Sequence, residues 1–218
     1  MLSFEGYKHY LTSLIKKKAK VEKNICISYD MPNSMSQYRG FIAIPIPINE
    51  MMKILHKKIS SLPCDIKLVA LENLHITVKF LGDTNEDDNE QIIQFIQHAV
   101  KNIEPFSIQL KGTGVFPNQN YIKVVWIGIQ NAEPISTIAS SVNADLTALG
   151  FKKENRGFKP HLTIGRVKTA RGKEQLLKII NQYQDILFDE ISVDSILLMK
   201  STLTPQGPIY TIKETIKI

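Results

Sequence analysis

The chain has 218 residues, of which 43% are apolar and 22% are charged, and its formal net charge is +6. This composition predicts a folded protein with a hydrophobic core, and the positive charge favours anionic partners such as nucleic acid without requiring them. Every apolar run is far shorter than the roughly 20 residues of a membrane-spanning helix. Two cysteines, Cys26 and Cys64, exclude a disulfide framework and favour free thiols in the cytoplasm.

The first 38 residues are predicted to be a basic extension that ends in a linker. Apolar residues at helical spacing precede a lysine cluster there, which predicts an amphipathic basic helix: Phe4, Tyr7, Leu11, Leu14 and Ile15, then Lys16, Lys17, Lys18 and Lys20. The polar stretch 30–37 is typical of a linker. We place the domain boundary near residue 38, with one domain over 39–218. The extension is either specific to the lineage or precedes a translation start at Met35.

From residue 39 onward, stretches typical of strands alternate with stretches typical of amphipathic helices. The first five predicted elements are a strand, a helix, a strand, a helix and a strand, over 39–46, 49–62, 74–81, 88–103 and 106–110. The next five repeat that order over 122–129, 135–148, 161–164, 173–187 and 192–200. Asn49 is the predicted N-cap of the first helix.

A shift of 86 residues superimposes the second set of elements on the first. It carries His75-Ile-Thr-Val78 onto His161-Leu-Thr-Ile164, and it aligns the surrounding helices and strands to within a few residues. Self-similarity at a fixed offset marks a repeated structural unit. The sequence therefore predicts a strand-helix-strand-helix-strand unit that is present twice.

Each copy carries the pattern H-x-T followed by an aliphatic residue. In a strand, residues two positions apart point to the same face, so each His and Thr pair projects together while the aliphatic residues enter a core. Equivalent strands of a duplicated fold can face each other across a groove. We therefore expect His75, Thr77, His161 and Thr163 to share one site.

Two histidines and two threonines suit phosphoester cleavage. The unperturbed imidazole pKa is about 6.5, so near neutral pH one histidine can accept a proton while the other donates one. Water must be deprotonated and the leaving oxygen protonated in such a reaction. Threonine hydroxyls could hold the phosphate oxygens, with Lys79, Lys159 and Arg166 balancing negative charge. This chemistry requires no metal and no cofactor.

Other catalytic arrangements fit the sequence less well. Zinc bound by His75 and His161 would need further ligands, and neither motif offers one at a useful spacing. A serine hydrolase is not indicated, because the chain lacks the G-x-S-x-G pattern. His9, His56 and His98 are assigned no catalytic role.

Two segments resemble the signatures of the two-histidine (2H) phosphoesterases, and more narrowly those of the RNA 2′,3′-cyclic phosphodiesterases, historically called 2′-5′ RNA ligases. They are Leu74-His-Ile-Thr-Val-Lys-Phe-Leu-Gly82 and Phe158-Lys-Pro-His-Leu-Thr-Ile-Gly-Arg166. The flanking segments also resemble that family: Arg39-Gly-Phe-Ile-Ala-Ile-Pro45, Val125-Trp-Ile-Gly128 and Ser201-Thr-Leu-Thr-Pro-Gln-Gly-Pro-Ile-Tyr210. The resemblance covers 39–218 in order.

The resemblance implies an α+β fold with two pseudo-symmetric lobes, in which two antiparallel sheets surround a central groove and helices lie outside. It implies hydrolysis of RNA 2′,3′-cyclic phosphate ends to 2′-phosphomonoesters, with 2′-5′ ligation as a reverse reaction. Carried over by position, His75 would be the proton donor and His161 the proton acceptor, while Thr77, Thr163 and Arg166 would bind the phosphate. We expect a cytoplasmic monomer that uses no cofactor and binds no membrane.

Arg166 presents a geometric difficulty. By strict alternation it should face away from His161, so a phosphate-binding role requires a bulge, for which Gly165 is the candidate. Further candidate RNA contacts are Lys79, Phe80 and Lys159. Aromatic residues near the groove could stack on bases or pack in the core: Phe80, Tyr121, Trp126 and Phe158.

Two other functions remain open from the sequence. The same four His and Thr residues could cleave 2′-5′ oligoadenylate or ADP-ribose 1″,2″-cyclic phosphate. The chain could instead be a non-enzymatic module that binds RNA ends or nucleotides. Choice among cyclic phosphates is expected to depend on two loops, over 116–121 and 169–173.

Overall fold

A computed structural model describes residues 36–154, 157–205 and 207–218. The expected basic helix, most of the expected linker, Cys26 and Met35 lie outside the described residues. Cys64 is a free thiol.

The described chain contains nine strands and four α-helices. The strands are β1 (Gln37–Pro45), β2 (Ile66–Leu68), β3 (His75–Asn85), β4 (Phe106–Pro117), β5 (Ile122–Gln130), β6 (His161–Val167), β7 (Leu187–Val193), β8 (Ser195–Leu203) and β9 (Pro208–Lys217). The helices are α1 (Glu50–Ser60), α2 (Asn89–Val100), α3 (Glu133–Asp145) and α4 (Lys173–Gln182). Three short 3-10 turns accompany them at Leu71–Asn73, Glu86–Asp88 and Leu146–Leu149.

The strands form one antiparallel sheet in the order β7-β4-β5-β6-β3-β1-β8-β9, with β2 pairing to β6 beside that path. The centre of this order is the contact between β6 and β3, which consists of the single pair Ile76 and Leu162. Four strands lie on each side of it. The two expected sheets are therefore present as two halves of one sheet, joined at one residue pair.

The two halves do not coincide with the two sequence repeats. β4 belongs to the first repeat but pairs with β5 of the second, and its 86-residue equivalent, β8, pairs with β1 of the first. The helices exchange in the same way. The side chain of Asn49, before α1, donates to the Phe188 carbonyl at the start of β7 over 2.7 Å, and α3 packs against β3. Each half is thus built from both repeats.

The helices cover the sheet face that carries the aliphatic residues of the two motifs. Ile76, Val78, Leu162 and Ile164 are buried in one continuous cluster with the inward residues of all four helices. Local signals start the helices where the sequence predicts: the Asn49 side chain accepts from the Met52 amide over 2.9 Å, and a proline lies in the first turn of α3. The face with the histidines stays open.

The predicted α+β fold is confirmed, and each of the four helices predicted after residue 39 is present. Three strands were not predicted: β2, β7 and β9. The amphipathic run expected over 173–187 ends as a helix at Gln182, and β7 begins at Leu187. None of the helices in the described ranges is long and apolar enough to cross a membrane.

Candidate active site

The register between β3 and β6 brings the two H-x-T motifs together. Because Ile76 pairs with Leu162 in an antiparallel contact, His75 lies opposite Thr163 and Thr77 lies opposite His161. All four side chains point away from the buried pair, to the open face. The predicted grouping is therefore present in the geometry, with the histidines placed diagonally on neighbouring strands.

Each imidazole forms a hydrogen bond to the backbone carbonyl two residues before it. Nδ1 of His75 donates to the Asn73 carbonyl over 2.8 Å, and Nδ1 of His161 donates to the Lys159 carbonyl over 2.7 Å. A carbonyl oxygen can only accept, so Nδ1 carries the proton in each ring. Nε2 of each histidine is then the atom available to a substrate. It accepts a proton when the ring is neutral and donates one when the ring is charged.

Aromatic rings pack against both imidazoles. His75 contacts the ring of Phe41, with centroids 5.0 Å apart, and meets the ring of Tyr210 edge to face at 5.4 Å. His161 meets Phe116 edge to face at 5.0 Å. These contacts supply apolar packing on the flanks of each ring while the backbone bond holds its orientation. The two histidines are thus presented by similar means from the two halves.

A β-bulge follows each motif at the equivalent position. In β6, the pairing with β5 moves from Thr163 to Gly165 while the partner strand advances by one residue, from Trp126 to Val125. In β3, the pairing with β1 moves from Thr77 to Lys79 in the same way. Each bulge inserts one extra residue and reverses the alternation beyond it. The bulge that Arg166 required is present.

The bulges bring Phe80 and Arg166 to the open face. These residues are equivalent under the 86-residue shift, and both line a cavity of about 380 Å³ that also includes His75. Phe80 is 60% exposed. The remaining lining residues are Arg39, Gly40, Phe41, Gly82, Ser201, Leu203, Pro208 and Tyr210. One side of the site thus offers an aromatic ring where the other offers a guanidinium group.

Lys79 does not lie where the sequence predicted. The bulge that turns Phe80 outward turns Lys79 inward, so that this lysine is only 4% exposed. Its ammonium group donates to Asn143 Oδ1 over 2.9 Å and to the Lys152 carbonyl over 3.1 Å, and it pairs with Glu154 over 3.2 Å. These three acceptors match its three donors. The prediction of Lys79 as an RNA contact is therefore corrected to a structural role.

The other candidate residues lie in distinct surroundings. Lys159 is exposed and contributes its backbone carbonyl to His161. Trp126 and Phe158 are half-buried, and Trp126 packs on Phe116 with centroids 5.2 Å apart. Away from the site, His56 bonds to the Val69 carbonyl and His98 to Asp145.

Comparison with known proteins agrees with this geometry. The model of the 2′-5′ RNA ligase superfamily matches residues 59–203. The chain belongs to that superfamily. It is 45% identical over 174 residues to the RNA 2′,3′-cyclic phosphodiesterase of Methanocaldococcus jannaschii, covering 80% of this chain and 97% of that protein. It is 36% identical over 182 residues to the protein of the same name from Methanothermobacter thermautotrophicus, covering 83% and 98%.

Solved structures show the same fold. A Thermus thermophilus protein superimposes with a TM-score of 0.68 at 27% identity, covering 82% of this chain and 97% of that one. Escherichia coli LigT in complex with 3′-AMP superimposes with a TM-score of 0.63 at 22% identity, covering 84% and 99%. The resemblance to 2H phosphoesterases drawn from the two motifs is confirmed.

Sequence reasoning missed several residues that shape this 2H phosphoesterase site. Phe41, Tyr210 and Phe116 contact the histidines, and Arg39 and Leu203 line the cavity. Tyr210 comes from β9, 135 residues after His75 in the chain. The only signal that could have drawn attention to Arg39 or Tyr210 was their place in segments that resemble the family.

The environment of His75 favours its neutral form. Burial lowers the pKa of His75 below its ordinary 6.5, the bond to the Asn73 carbonyl raises it in part, and the charge of Arg166 lowers it further. Burial raises the pKa of the nearby Tyr210, against the lowering effect of Arg166 and Arg39. In the absence of substrate, Nε2 of His75 is therefore mainly unprotonated at neutral pH.

We predict that Lys79→Met lowers stability without weakening substrate binding. The substitution removes three donors from acceptors that Lys79 now satisfies, at a cost of about 1–3 kcal/mol in the free energy of unfolding. Urea denaturation gives that energy, and initial rates give KM. Lys153→Met, which changes the exposed lysine between Lys152 and Glu154, is the control and should change neither. A raised KM at unchanged stability would instead restore the RNA-contact assignment.

We predict that the His75 ring titrates below pH 6.5 and that Arg166→Gln moves its midpoint upward. Removal of the positive charge makes protonation of His75 easier, while burial continues to oppose it. Ring resonances followed by NMR against pH give the midpoint, with His75→Gln to assign the signals. Arg39→Gln, which removes a charge from the same cavity, should shift the midpoint less. A wild-type midpoint at or above 6.5 contradicts the prediction.

Proposed function

We propose that this protein hydrolyses 2′,3′-cyclic phosphate ends of RNA to 2′-phosphomonoesters, with His75 as proton donor and His161 as proton acceptor. The observation that supports this most directly is the pairing of the two H-x-T motifs, which presents two Nε2 atoms and two threonines on one open face. The names of its relatives from Methanocaldococcus jannaschii and Methanothermobacter thermautotrophicus point to the same substrate.

The phosphate would lie over the β3 and β6 pair. Thr77 and Thr163 lie diagonally on the two strands, so their hydroxyl groups can donate to non-bridging oxygens from two directions. Arg166 is exposed beside them on the same face. Its guanidinium group can offset the negative charge that develops on the phosphorane-like transition state. These three residues bind and orient the group that reacts.

The asymmetry of the site supports the assignment of donor and acceptor. The cavity of about 380 Å³ lies beside His75 and is lined by Phe80, Leu203 and Tyr210, a size and character suited to a nucleoside. If the terminal nucleoside occupies it, the ribose oxygen that leaves phosphorus lies on the His75 side. His75 is then the group placed to protonate that oxygen, and His161 the group placed to activate water.

The proposed steps balance in protons and bonds. Nε2 of His161 accepts a proton from water, the resulting hydroxide oxygen bonds to phosphorus, and the bond from phosphorus to the ribose 3′ oxygen breaks. Nε2 of His75 gives its proton to that 3′ oxygen. The product is a 2′-phosphomonoester, and solvent exchange restores the two rings. With a ribose 5′-hydroxyl in place of water, the same transfers form a 2′-5′ linkage.

The lowered pKa of His75 is compatible with a donor role once the substrate is bound. A cyclic phosphodiester carries one negative charge, and an anion beside an imidazole favours its charged form. Substrate binding would thus counteract the effect of Arg166 and burial on His75. The proton donor would be loaded when there is a leaving group to receive the proton.

We predict that His75→Ala and His161→Ala each lower kcat on a cyclic phosphate by about 10²- to 10⁴-fold, the usual contribution of a general acid or base. EDTA should leave the wild-type rate unchanged, since the two rings perform both proton transfers. Product analysis should give the 2′-phosphate. Retention of full activity by either variant would refute the mechanism, and so would loss of activity in EDTA that added metal restores.

We predict that Phe80→Ala raises KM for a nucleoside 2′,3′-cyclic phosphate while kcat changes little. Stacking of a base on an aromatic ring contributes about 1–3 kcal/mol, so the rise should be about 5- to 150-fold. Phe80→Tyr keeps the ring and should keep KM. A fall in kcat with unchanged KM would place the nucleoside elsewhere.

Two related substrates could be processed by the same four residues. They are 2′-5′ oligoadenylate and ADP-ribose 1″,2″-cyclic phosphate. Parallel measurement of kcat/KM on these two and on RNA ends shows which of the three substrates the protein prefers. A non-enzymatic module that binds RNA ends is the remaining alternative. Binding of the cyclic phosphate without turnover would support that alternative.

A further inference from the structure

The two loops that were expected to influence substrate choice meet at one surface. Residues 120–123, at the turn before β5 and the start of that strand, and residues 167–171, at the end of β6 and beyond it, line a shared depression together with Lys173 and Leu176 of α4. The Lys173 ammonium group donates to the Asn120 carbonyl over 3.2 Å and so connects the two loops. We call this depression the loop surface.

The loop surface is strongly basic. Its lining includes Lys123, Lys168, Arg171 and Lys173 and contains no carboxylate. Within the described ranges, none of these four side chains forms an ion pair with Asp or Glu. Glu174, which follows Lys173 in the chain, and Asp65, whose backbone carbonyl accepts from the Lys168 amide over 2.8 Å, do not line it. Unpaired positive charge of this density attracts a polyanion.

An exposed aromatic ring lies among these charges. Tyr121 is 59% exposed, and the Lys123 ammonium group lies over its ring, 4.6 Å from the centroid. An aromatic ring beside cationic groups is the usual arrangement of surfaces that bind single-stranded nucleic acid, because bases stack on the ring while phosphates meet the charges. The depression holds only about 80 Å³, too little to enclose a nucleotide. It is suited to a strand that passes over it.

The loop surface begins where the proposed catalytic site ends. Val167, the residue after Arg166, lines it, and Lys168 is two residues beyond Arg166, within about 7 Å along the chain. On β5, Val124 pairs with Arg166, and Lys123 directly precedes Val124 in the chain. The basic residues of the loop surface therefore lie close to Arg166 along the backbone of both β5 and β6.

We propose that the loop surface binds the sugar-phosphate backbone of the RNA strand upstream of the reacting end, with Lys123, Lys168 and Arg171 on its phosphates and Tyr121 stacked on a base. This rests on the proposed function and extends it from a terminal nucleotide to a strand. The protein would then prefer an oligonucleotide over a mononucleotide that carries the same cyclic phosphate. The preference would be electrostatic and would fall as salt rises.

The test compares two substrates on the full chain. One is a nucleoside 2′,3′-cyclic phosphate, and the other is a short single-stranded RNA that ends in the same nucleoside 2′,3′-cyclic phosphate. We expect Lys123→Gln, Lys168→Gln and Arg171→Gln together to lower kcat/KM on the RNA at least 10-fold through KM and to change kcat/KM on the nucleotide less than twofold. The salt dependence on the RNA should weaken by about 0.7 in logarithmic slope for each phosphate contact removed.

Matched variants control for net charge and for the ring. Lys57→Gln, Lys101→Gln and Lys178→Gln together remove the same charge from exposed positions within or directly after helices and should leave the rates on both substrates unaffected. Tyr121→Phe should act like wild type, and Tyr121→Ala should raise KM for the RNA without changing KM for the nucleotide. Equal effects of the two triple variants, or equal losses on both substrates, would overturn the proposal. Absence of wild-type turnover on both substrates would instead refute the proposed function.

Discussion

The arrangement of the site depends on one contact between two buried aliphatic residues. Ile76 and Leu162 form the only pair through which β3 and β6 join, among the residues that the structure describes. Both are fully buried, so each motif must direct its histidine and threonine to the other face. A slip of one residue by either strand would send the histidine and threonine of that strand into the core. Burial of an apolar pair thus holds the polar residues in place.

The repeated bulge is what makes a symmetric pair of motifs into an asymmetric site. Both strands reverse their alternation after the threonine, so the residue three positions after each threonine reaches the open face. In one copy that residue is Phe80, and in the other it is Arg166. At the bulge itself, Gly165 leaves room for the side chains of Ile66 and Leu68 from β2, whereas Lys79 fills the corresponding position with a buried ammonium group. Equivalent backbones therefore carry different chemistry.

Exchange of elements between the repeats connects the two halves over long sequence distances. β4 and β8 each pair with strands of the other repeat, and β9 brings Tyr210 against His75. The backbone bonds of the imidazoles are local, since each acceptor lies two residues before its histidine. Local sequence thus determines which nitrogen of each ring carries the proton. The aromatic flanks and the cavity come from residues far away in the chain.

Periodicity and the 86-residue offset were sufficient to predict the four helices, most of the strands and the grouping of His75, Thr77, His161 and Thr163, because these depend on local alternation and on the burial of aliphatic residues. The side on which Lys79 lies, the presence of the bulge at Gly165, the strands β7 and β9, and the lining of the cavity depended on pairing between distant segments. A bulge is defined by the partner strand, which alone shows that one residue faces two. Lys79 illustrates the difference: by its own strand it belongs with the histidines, and only the neighbouring strand and the loop that carries Glu154 place it in the interior.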